Sequence, residues 1–398
     1  MRDFLLQHAD KNPVSFHMPG HKGSAIFRKY GYGEFLDRFA DCDITEIPGA
    51  DNLFLTEGII KETQRKYARL YGADHSYLMV NGSSGSIIAS ILASVRPGGK
   101  LIMARNSHQS VFHALELGGN IRPVYAMPDL FEGRIQGSIS PSEIRRCLKE
   151  HPDADAVILP SPNYYGICSD IKAIADLVHE AGKNLIVDQA HGAHLKFFHA
   201  FGQGEGLPQA AEDCGADLVV NSIHKTLASL TQSAVLNLCG NRVNRFRLED
   251  CLRMIQSSSP SYILMGFLDL NADLLLEHGA EAIANWRAAV DRFYTDAKTI
   301  PGLSVLTGEG LDFTKINLDM SACGIDGAKL EQLLNERDIF PELYTGDILM
   351  LMTGIGNTMA DMTRAIDALK EIAQTYGAHV PRAERASQTP IEIGRAHV

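Results

Sequence analysis

Short apolar runs alternate along the chain with segments in which apolar residues recur at helical spacing. Several runs are apolar throughout, which is typical of strands buried on both faces of a parallel sheet. Helical segments such as 142–150 and 171–182 lie between most of the runs, and this alternation predicts a mostly parallel sheet covered by helices. The predicted strands are residues 76–80, 100–104, 122–126, 155–159, 184–188, 217–221 and 234–238.

The remaining pattern predicts how the chain divides into domains. A polar leader rich in Gly and Pro comes first, and a helix is predicted at 59–71. A long, largely helical region then runs from about Ser261 to Lys298 and leads into a smaller α/β pattern, whose predicted elements are strands at 313–319 and 348–353 and helices at 326–337 and 358–377. We therefore predict an α/β fold with four parts: an N-terminal segment (1–56), a large domain (57–280), a small C-terminal α/β domain (281–380) and a polar tail (381–398).

Composition and charge exclude several classes of protein. Hydrophobic residues make up 45% of the 398 residues and charged residues 21%, as in ordinary globular proteins. The net charge of −11 argues against nucleic-acid binding, which needs basic surfaces. No run approaches the ~18 apolar residues of a membrane span, and the charged N-terminus does not resemble a signal peptide. Seven scattered cysteines without a C-x-x-C pair fit a reducing compartment, so we expect a cytoplasmic protein.

Polar clusters follow four of the predicted strands, where ligands of parallel sheets bind. The segment NGSSG (81–85) opens a helix, and free backbone N–H groups at a helix start suit a phosphate. An ordinary helix cap is the simpler interpretation of these residues taken alone, since serine is a preferred cap residue. After the strand 100–104 comes His108, whose flat imidazole could stack on an aromatic ligand, although a capped turn is the simpler alternative.

The other two clusters point to a cofactor. Asp188 ends a wholly apolar strand, and a buried carboxylate needs a cationic partner such as a pyridinium N–H. Lys225 follows the strand 217–221, and a partly buried lysine has the lowered pKa that a Schiff-base amine requires. A surface lysine in a turn is the alternative. His191 and His194 suggest a metal site, but no further set of ligands has metal spacing, so we expect none.

These clusters resemble those of pyridoxal 5′-phosphate (PLP) enzymes with the aminotransferase-like fold, fold type I. More narrowly, the chain resembles the bacterial Orn/Lys/Arg decarboxylase family. The matching motifs follow the family order from residue 16 to residue 265: FHMPGHKG (16–23), DITEIPGADNL (43–53), NGSSGS (81–86), RNSHQS (105–110), PNYYG (162–166), VDQAHGAH (187–194), SIHKTLASLTQ (222–232) and SSSPSYILM (257–265).

The resemblance implies roles for individual residues. Lys225 would form the Schiff base, Asp188 would meet the pyridine nitrogen and His108 would stack on the ring. Ser83 and Ser84 would hold the phosphate. The remaining residues expected around the cofactor are Ala190, His191, Ser222 and His224.

The implied reaction is α-decarboxylation of arginine, lysine or ornithine to a polyamine-type amine and CO2, with Lys225 or His224 returning the proton. Asp51 and Glu342 are candidates for contacting the distal cation of the substrate. The resemblance also implies a homodimer or higher oligomer with shared active sites, in which Ser258, Ser259 and Tyr262 would reach a neighbour's cofactor. Members of this fold also include aminotransferases and aldol-type lyases, and an inactive PLP-binding regulatory subunit is a further alternative.

The chain departs from the family pattern in two respects. It has Gln109, Gln189 and Asn237 where the family usually has Lys, Glu and His. Relatives also continue into a further C-terminal domain, and nothing in this chain matches it. The last residues, EIGRAHV (392–398), look foreign to the preceding pattern, and we interpret them as translated sequencing-adapter read-through; a natural polar tail is the alternative.

Overall fold

The computed structural model describes residues 1–377, so the predicted polar tail and its foreign-looking ending lie outside the described residues. The strands are β1 (Val14–Phe16), β2 (His75–Met79), β3 (Lys100–Ala104), β4 (Arg122–Ala126), β5 (Leu130–Phe131), β6 (Ile135–Gln136), β7 (Ala156–Pro160), β8 (Asn184–Asp188), β9 (Leu218–Asn221), β10 (Ala234–Leu238), β11 (Ser304–Val305), β12 (Lys315–Asp319), β13 (Ile339–Pro341), β14 (Leu343–Thr345) and β15 (Ile348–Met352).

The α-helices connect and cover these strands. They are α1 (Arg2–Asp10), α2 (Ala25–Lys29), α3 (Gly33–Asp37), α4 (Ile59–Tyr71), α5 (Gly82–Ser94), α6 (Gln109–Leu117), α7 (Pro141–Glu150), α8 (Ile171–Glu180), α9 (Leu195–Ala200), α10 (Ile223–Thr226), α11 (Arg245–Ile255), α12 (Tyr262–Ala297), α13 (Gly327–Asn335) and α14 (Met359–Tyr376).

The large sheet confirms the predicted fold class. Its seven strands run in the order β2-β10-β9-β8-β7-β3-β4, and each predicted strand is present with its bounds within one residue. Strands β9, β8, β7, β3 and β4 are parallel neighbours, whereas β10 is antiparallel to both β2 and β9. The carboxyl ends of the parallel strands therefore share one edge, where the polar clusters follow them.

A smaller antiparallel sheet, in the order β11-β12-β15-β14, packs with α13, and α14 packs against α12; together they form the C-terminal α/β part of the fold. The long helix α12 joins it to the large sheet. The predicted boundary between residues 280 and 281 falls inside this uninterrupted helix, so the division into domains stays a prediction. In the part of the chain that the structure describes, no helix combines the length and the apolar character needed to cross a membrane.

The leader contains structure that the sequence pattern did not indicate. Strand β1 pairs in parallel with β13. The residues that follow β1 pass between the segment around Lys225 (224–227) and the residues that follow β15 (354–356). The N–H of Gly20 donates to the carbonyl of His224 (2.7 Å), while the N–H of Gly356 donates to the carbonyl of Gly20 (3.0 Å). A Cβ at Gly20 would lie 2.5 Å from the carbonyl carbon of Thr226, so only glycine fits there. We call this contact the three-segment stack, made of residues 20–21, 224–227 and 354–356.

Candidate active site

Lys225 lies on the short helix α10 directly after β9, and the residue is only 8% exposed. Its Nζ donates to His191 Nε2 at 3.0 Å. Burial lowers the pKa of the Lys225 amine; Asp188 and Glu342 oppose that effect, and Lys315 adds to it. The lysine is thus buried rather than in a surface turn, and its environment favours the neutral, nucleophilic amine.

Asp188 ends β8, is also only 8% exposed and lines the same cavity as Lys225. Its carboxylate accepts one hydrogen bond, from the N–H of Ala190 to Oδ1 at 3.1 Å. Within residues 1–377, no lysine, arginine or histidine nitrogen comes within 4.0 Å of it. A buried carboxylate without a cation is unfavourable, so a protonated pyridine nitrogen fits this position.

His191 contacts both Lys225 and Tyr164. Its ring lies 4.6 Å from that of Tyr164, measured between centroids. Burial, reinforced by the positive charges of Lys225 and Lys315, holds the pKa of His191 well below its usual value. A neutral ring that accepts a proton at Nε2 carries its own proton on Nδ1, and this buried atom has no partner within the described residues. Asn106 Oδ1, from another residue of the cavity lining, is likewise a buried polar atom without a partner among the described residues.

The start of α5 is open to an anion. Asn81 precedes the helix but its side chain does not cap it; instead Asn81 Nδ2 donates to the carbonyl of Ile255 (3.0 Å). The helix N-terminus therefore keeps its positive end unoccupied by a side chain. Ser83 lines the cavity at this end, whereas Ser84 lies on the same turn outside the lining.

His108 caps a helix, and its stacking on a cofactor ring stays a prediction that its position allows. Its Nδ1 accepts a hydrogen bond from the N–H of Ser110 (3.2 Å), so it caps α6. It also lines the cavity with Asp188 and Lys225. Burial lowers the pKa of His108, an effect that Asp188 opposes. A neutral, flat ring is suited to stacking on an aromatic ligand.

Ser222 and His224 flank Lys225 in the chain but do not line the cavity. His224 Nδ1 lies 2.8 Å from the carbonyl of Ser233, to which it donates. Burial lowers the pKa of His224 to about 4. The cavity thus brings together six of the nine residues expected at the cofactor: Ser83, His108, Asp188, Ala190, His191 and Lys225.

Sequence reasoning assigned no role to several residues of the cavity. Asn163 and Tyr164 belong to the PNYYG motif, which was the available signal for them. Asn106 lies two residues before His108. Lys315 lies outside the cavity lining and contacts the carbonyl of His191; it had no local signal, because it comes from the small sheet and reaches His191 only through the tertiary fold.

The two candidates for the distal cation differ in their surroundings. Asp51 is already saturated, because its carboxylate accepts hydrogen bonds from five backbone N–H groups around the start of α4. Its carbonyl also accepts from the Tyr262 hydroxyl (2.8 Å). Glu342 is half-buried and accepts one hydrogen bond, from the N–H of Met18 to Oε2 (3.1 Å). Glu342 thus keeps acceptor capacity that Asp51 has used.

Two departures from the family pattern meet at one carboxylate. Gln189 Nε2 donates to Glu212 Oε2 (2.9 Å), and Asn221 and Asn237 both donate to Glu212 Oε1 (2.8 Å). Burial raises the pKa of Glu212, against the opposing effect of these hydrogen bonds. Neither Gln189 nor the residues that it contacts, Glu212 and Asn221, line the cavity that contains Asp188. The departures therefore belong to a polar network behind the cavity.

His191 and His194 do not form a metal site together. His191 faces Lys225, while His194 Nε2 donates to Asp312 Oδ2 at 3.0 Å. Among residues 1–377, no three His, Cys, Asp or Glu side chains are grouped so that they could hold a metal ion.

Comparisons with known proteins agree with this geometry. The model of the Orn/Lys/Arg decarboxylase major domain matches residues 1–304. The arginine decarboxylase of Bacillus subtilis is 32% identical over 381 residues, which is 93% of this chain and 76% of that protein. The arginine decarboxylase of Bacillus cereus is 31% identical over 403 residues, covering 98% of this chain and 85% of that protein.

Among solved structures, the lysine decarboxylase of Francisella novicida superimposes with a TM-score of 0.73 at 20% identity. The match covers 90% of this chain and 57% of that structure, so the chain spans less than two thirds of its length. The orphaned atoms, the carboxylate without a cation, the open helix start and the buried amine all fit PLP. The chain belongs to the Orn/Lys/Arg decarboxylase family of PLP-dependent enzymes and has the fold of PLP fold type I.

Proposed function

We propose that this protein binds PLP and decarboxylates arginine, lysine or ornithine to the corresponding amine and CO2. The observation that carries the proposal is the pairing, in one cavity, of the buried Lys225 amine with the Asp188 carboxylate that has no cation of its own. Family membership supports the choice of decarboxylation among the reactions of this fold.

The residues for holding the cofactor follow from the cavity. Lys225 would carry it covalently, Asp188 would face its pyridine nitrogen and His108 would lie against the ring. The start of α5, with Ser83 and Ser84, would receive the phosphate. When bound, PLP supplies an electron sink for the charge left on the substrate carbon after CO2 departs.

Lys225 is better suited than His224 to return the proton. With a pKa of about 4, His224 is neutral at pH 7, and its Nδ1–H is held by the carbonyl of Ser233. The Lys225 amine lies in the cavity, where it donates a hydrogen bond to the neutral His191 ring at Nε2 and keeps its own proton. We therefore assign the proton transfer to Lys225.

Glu342 is our choice for contacting the distal cation of the substrate. Its charge already acts on the Lys225 amine, so a cationic group in the cavity would feel the same field. Glu342→Gln should raise KM for the preferred substrate more than it lowers kcat, because the lost interaction is made before and during the reaction alike. A fall in kcat with unchanged KM would contradict this role.

The decisive test combines cofactor trapping with product analysis. Borohydride reduction of the PLP-loaded protein should fix the cofactor to Lys225, as read by peptide mass spectrometry; an adduct on another lysine would overturn the assignment. Incubation with arginine, lysine and ornithine separately should then release CO2 and one amine. Keto-acid formation would favour an aminotransferase, an aldehyde product an aldol-type lyase, and cofactor absorbance without turnover an inactive regulatory subunit.

We also propose a homodimer or higher oligomer with shared active sites. Ser258 and Ser259 are exposed and available to a second copy, whereas Tyr262 is bonded to Asp51 of its own chain. Light scattering on the PLP-loaded protein should give at least twice the mass of one chain; a monomeric mass with full turnover would refute shared sites.

A further inference from the structure

A charged cluster is buried between the small sheet and the loop after β8. It consists of Asp312, Thr314 and Lys315 at the start of β12, and of His194. The side chains of Asp312, Lys315 and His194 are 0% exposed. None of these residues was singled out by the proposed reaction.

The bonds of the cluster lead toward the cavity. Asp312 is held by Thr314, whose hydroxyl donates to Oδ1 (2.7 Å), and by His194, which donates to Oδ2 (3.0 Å). Lys315 Nζ lies 3.4 Å from Asp312 Oδ2 and donates to the carbonyl of His191 at 3.0 Å. His191 in turn accepts from Lys225 Nζ at 3.0 Å. His191 therefore contacts both lysines: its carbonyl accepts from Lys315, and its ring accepts from Lys225.

Stability alone is a weak reason for such a cluster. Removing two charges from water costs several kcal/mol for each ion, and apolar residues of similar volume often replace a buried ion pair at no loss. The arrangement at His191 gives a more specific reason. The residue after it, Gly192, has no room for a side chain, because a Cβ would clash with Pro162 and lie 3.0 Å from Leu195. The backbone at His191 is thus held at its carbonyl by Lys315, and it is followed by a glycine that has no room for a side chain.

We infer that Lys315 is a positioning residue for the Lys225 site: anchored by Asp312 in the small sheet, its ammonium holds the His191 carbonyl and places a fixed positive charge behind the Lys225 amine. This inference rests on the proposed function, since it supposes that Lys225 carries the cofactor. The inference gives a residue of the small sheet a role at a cavity that is lined by residues from the part of the chain that builds the large sheet.

The charges around Lys225 set the direction of the expected effect. Asp188 from β8 and Glu342, which lies between β13 and β14, favour the protonated amine, whereas Lys315 disfavours it. The rings of His191, His108 and Tyr164 also face Lys225; burial holds both histidines neutral and raises the pKa of Tyr164 to about 12. Removing Lys315 leaves the two carboxylates in place, so the protonated form at Lys225 should gain.

The test follows the absorbance of the PLP-loaded protein as a function of pH, a readout that does not depend on turnover. Lys315→Met removes the cation. Asp312→Asn/Lys315→Met removes both charges and keeps the cluster neutral, in case the single variant does not fold. Lys66→Met is the matched control, because it breaks the Lys66–Asp269 pair (2.8 Å) between α4 and α12 and so perturbs stability elsewhere.

Lys315→Met should shift the apparent pKa of the Lys225-linked absorbance upward by about 0.5–1 units and should release PLP faster. The double variant should shift that pKa in the same direction by less, because it also removes the opposing charge of Asp312, and the control should change neither the pKa nor the release rate. No shift, a downward shift, or an equal shift in the control would overturn the inference. Borohydride trapping on Lys225 in the unaltered protein is measured first. If it fails, the proposed function fails; if it succeeds and the shift is absent, only the role of Lys315 is refuted.

Discussion

Restoring the usual family residue at position 189 should harm this protein. In Gln189→Glu, a carboxylate oxygen replaces the amide nitrogen that now lies 2.9 Å from Glu212 Oε2 and 3.0 Å from Asn221 Oδ1. Two carboxylates at that separation cannot both ionise, so one of them must keep a proton. The bond from the N–H of Ala211 to the other oxygen of the side chain (2.7 Å) is preserved.

The size and sign of the effect follow from proton linkage. If one carboxyl pKa is raised by about 2–3 units above its unfolded value, at about 1.4 kcal/mol per unit, the loss of stability is about 3–4 kcal/mol. A raised folded-state pKa means that the folded state binds more protons than the unfolded state. The loss is therefore small below about pH 4.5, grows as the pH rises through the raised pKa, and is then constant.

Urea unfolding of the variant and the unaltered protein at pH 5 and pH 8, with the same excess of PLP, measures this difference. Gln189→Met removes the amide without adding charge, so its loss should not depend on pH. Gln189→Glu/Glu212→Gln exchanges the acid and the amide and should recover most of the stability. A pH-independent loss in Gln189→Glu, or a double variant no more stable than the single one, would refute the reasoning.

Three further outcomes are expected. Asp188→Asn should retain some PLP yet lose most turnover, measured as CO2 release, because an amide stabilises a protonated pyridine less well; near-normal kcat would contradict the role. Although burial raises the pKa of Asp51, the backbone hydrogen bonds outweigh it and lower that pKa, so Asp51→Asn should cost about 1–2 kcal/mol at pH 7. That cost should disappear as the pH falls below about 4, and a constant difference in thermal unfolding would argue against it. Gly20→Ala should weaken PLP retention, measured by dialysis, because its Cβ would displace Thr226 next to Lys225. Unchanged retention would contradict this expectation, since it would mean that the added methyl group is accommodated without moving Lys225.

The large sheet could be predicted from sequence because its strands are buried on both faces, and continuous apolar runs mark such strands well. Helix α1 was missed because none of its residues is buried, so it leaves no apolar stripe. Strand β1 was missed because its three residues pair with β13, more than 300 positions away. Secondary structure that depends on so distant a partner has little local signal.

The residues of the candidate site that lie at the edge of the large sheet were predictable, because the strands that position them were predictable. Asp188 ends a predicted strand, and His108 and Lys225 each follow one, so the edge of the sheet brings them together. Lys315 lies on a strand of the small sheet, and its approach to His191 depends on how the two sheets pack. The role of Gln189 and Asn237 likewise depended on locating Glu212, which no spacing in the sequence indicates.

The three-segment stack has a consequence for how the protein is made. The backbone around Lys225 is bonded on one side to Gly20 and, through the carbonyl of Thr226, to the N–H of Ile355 on the other (2.9 Å). Contacts between residues so far apart in sequence form slowly, and those involving residue 355 must await its emergence from the ribosome. A nascent chain that has completed the large sheet would still lack the contact between residues 354–356 and the segment around Lys225. Stable capture of the cofactor should therefore await synthesis of the chain beyond residue 355.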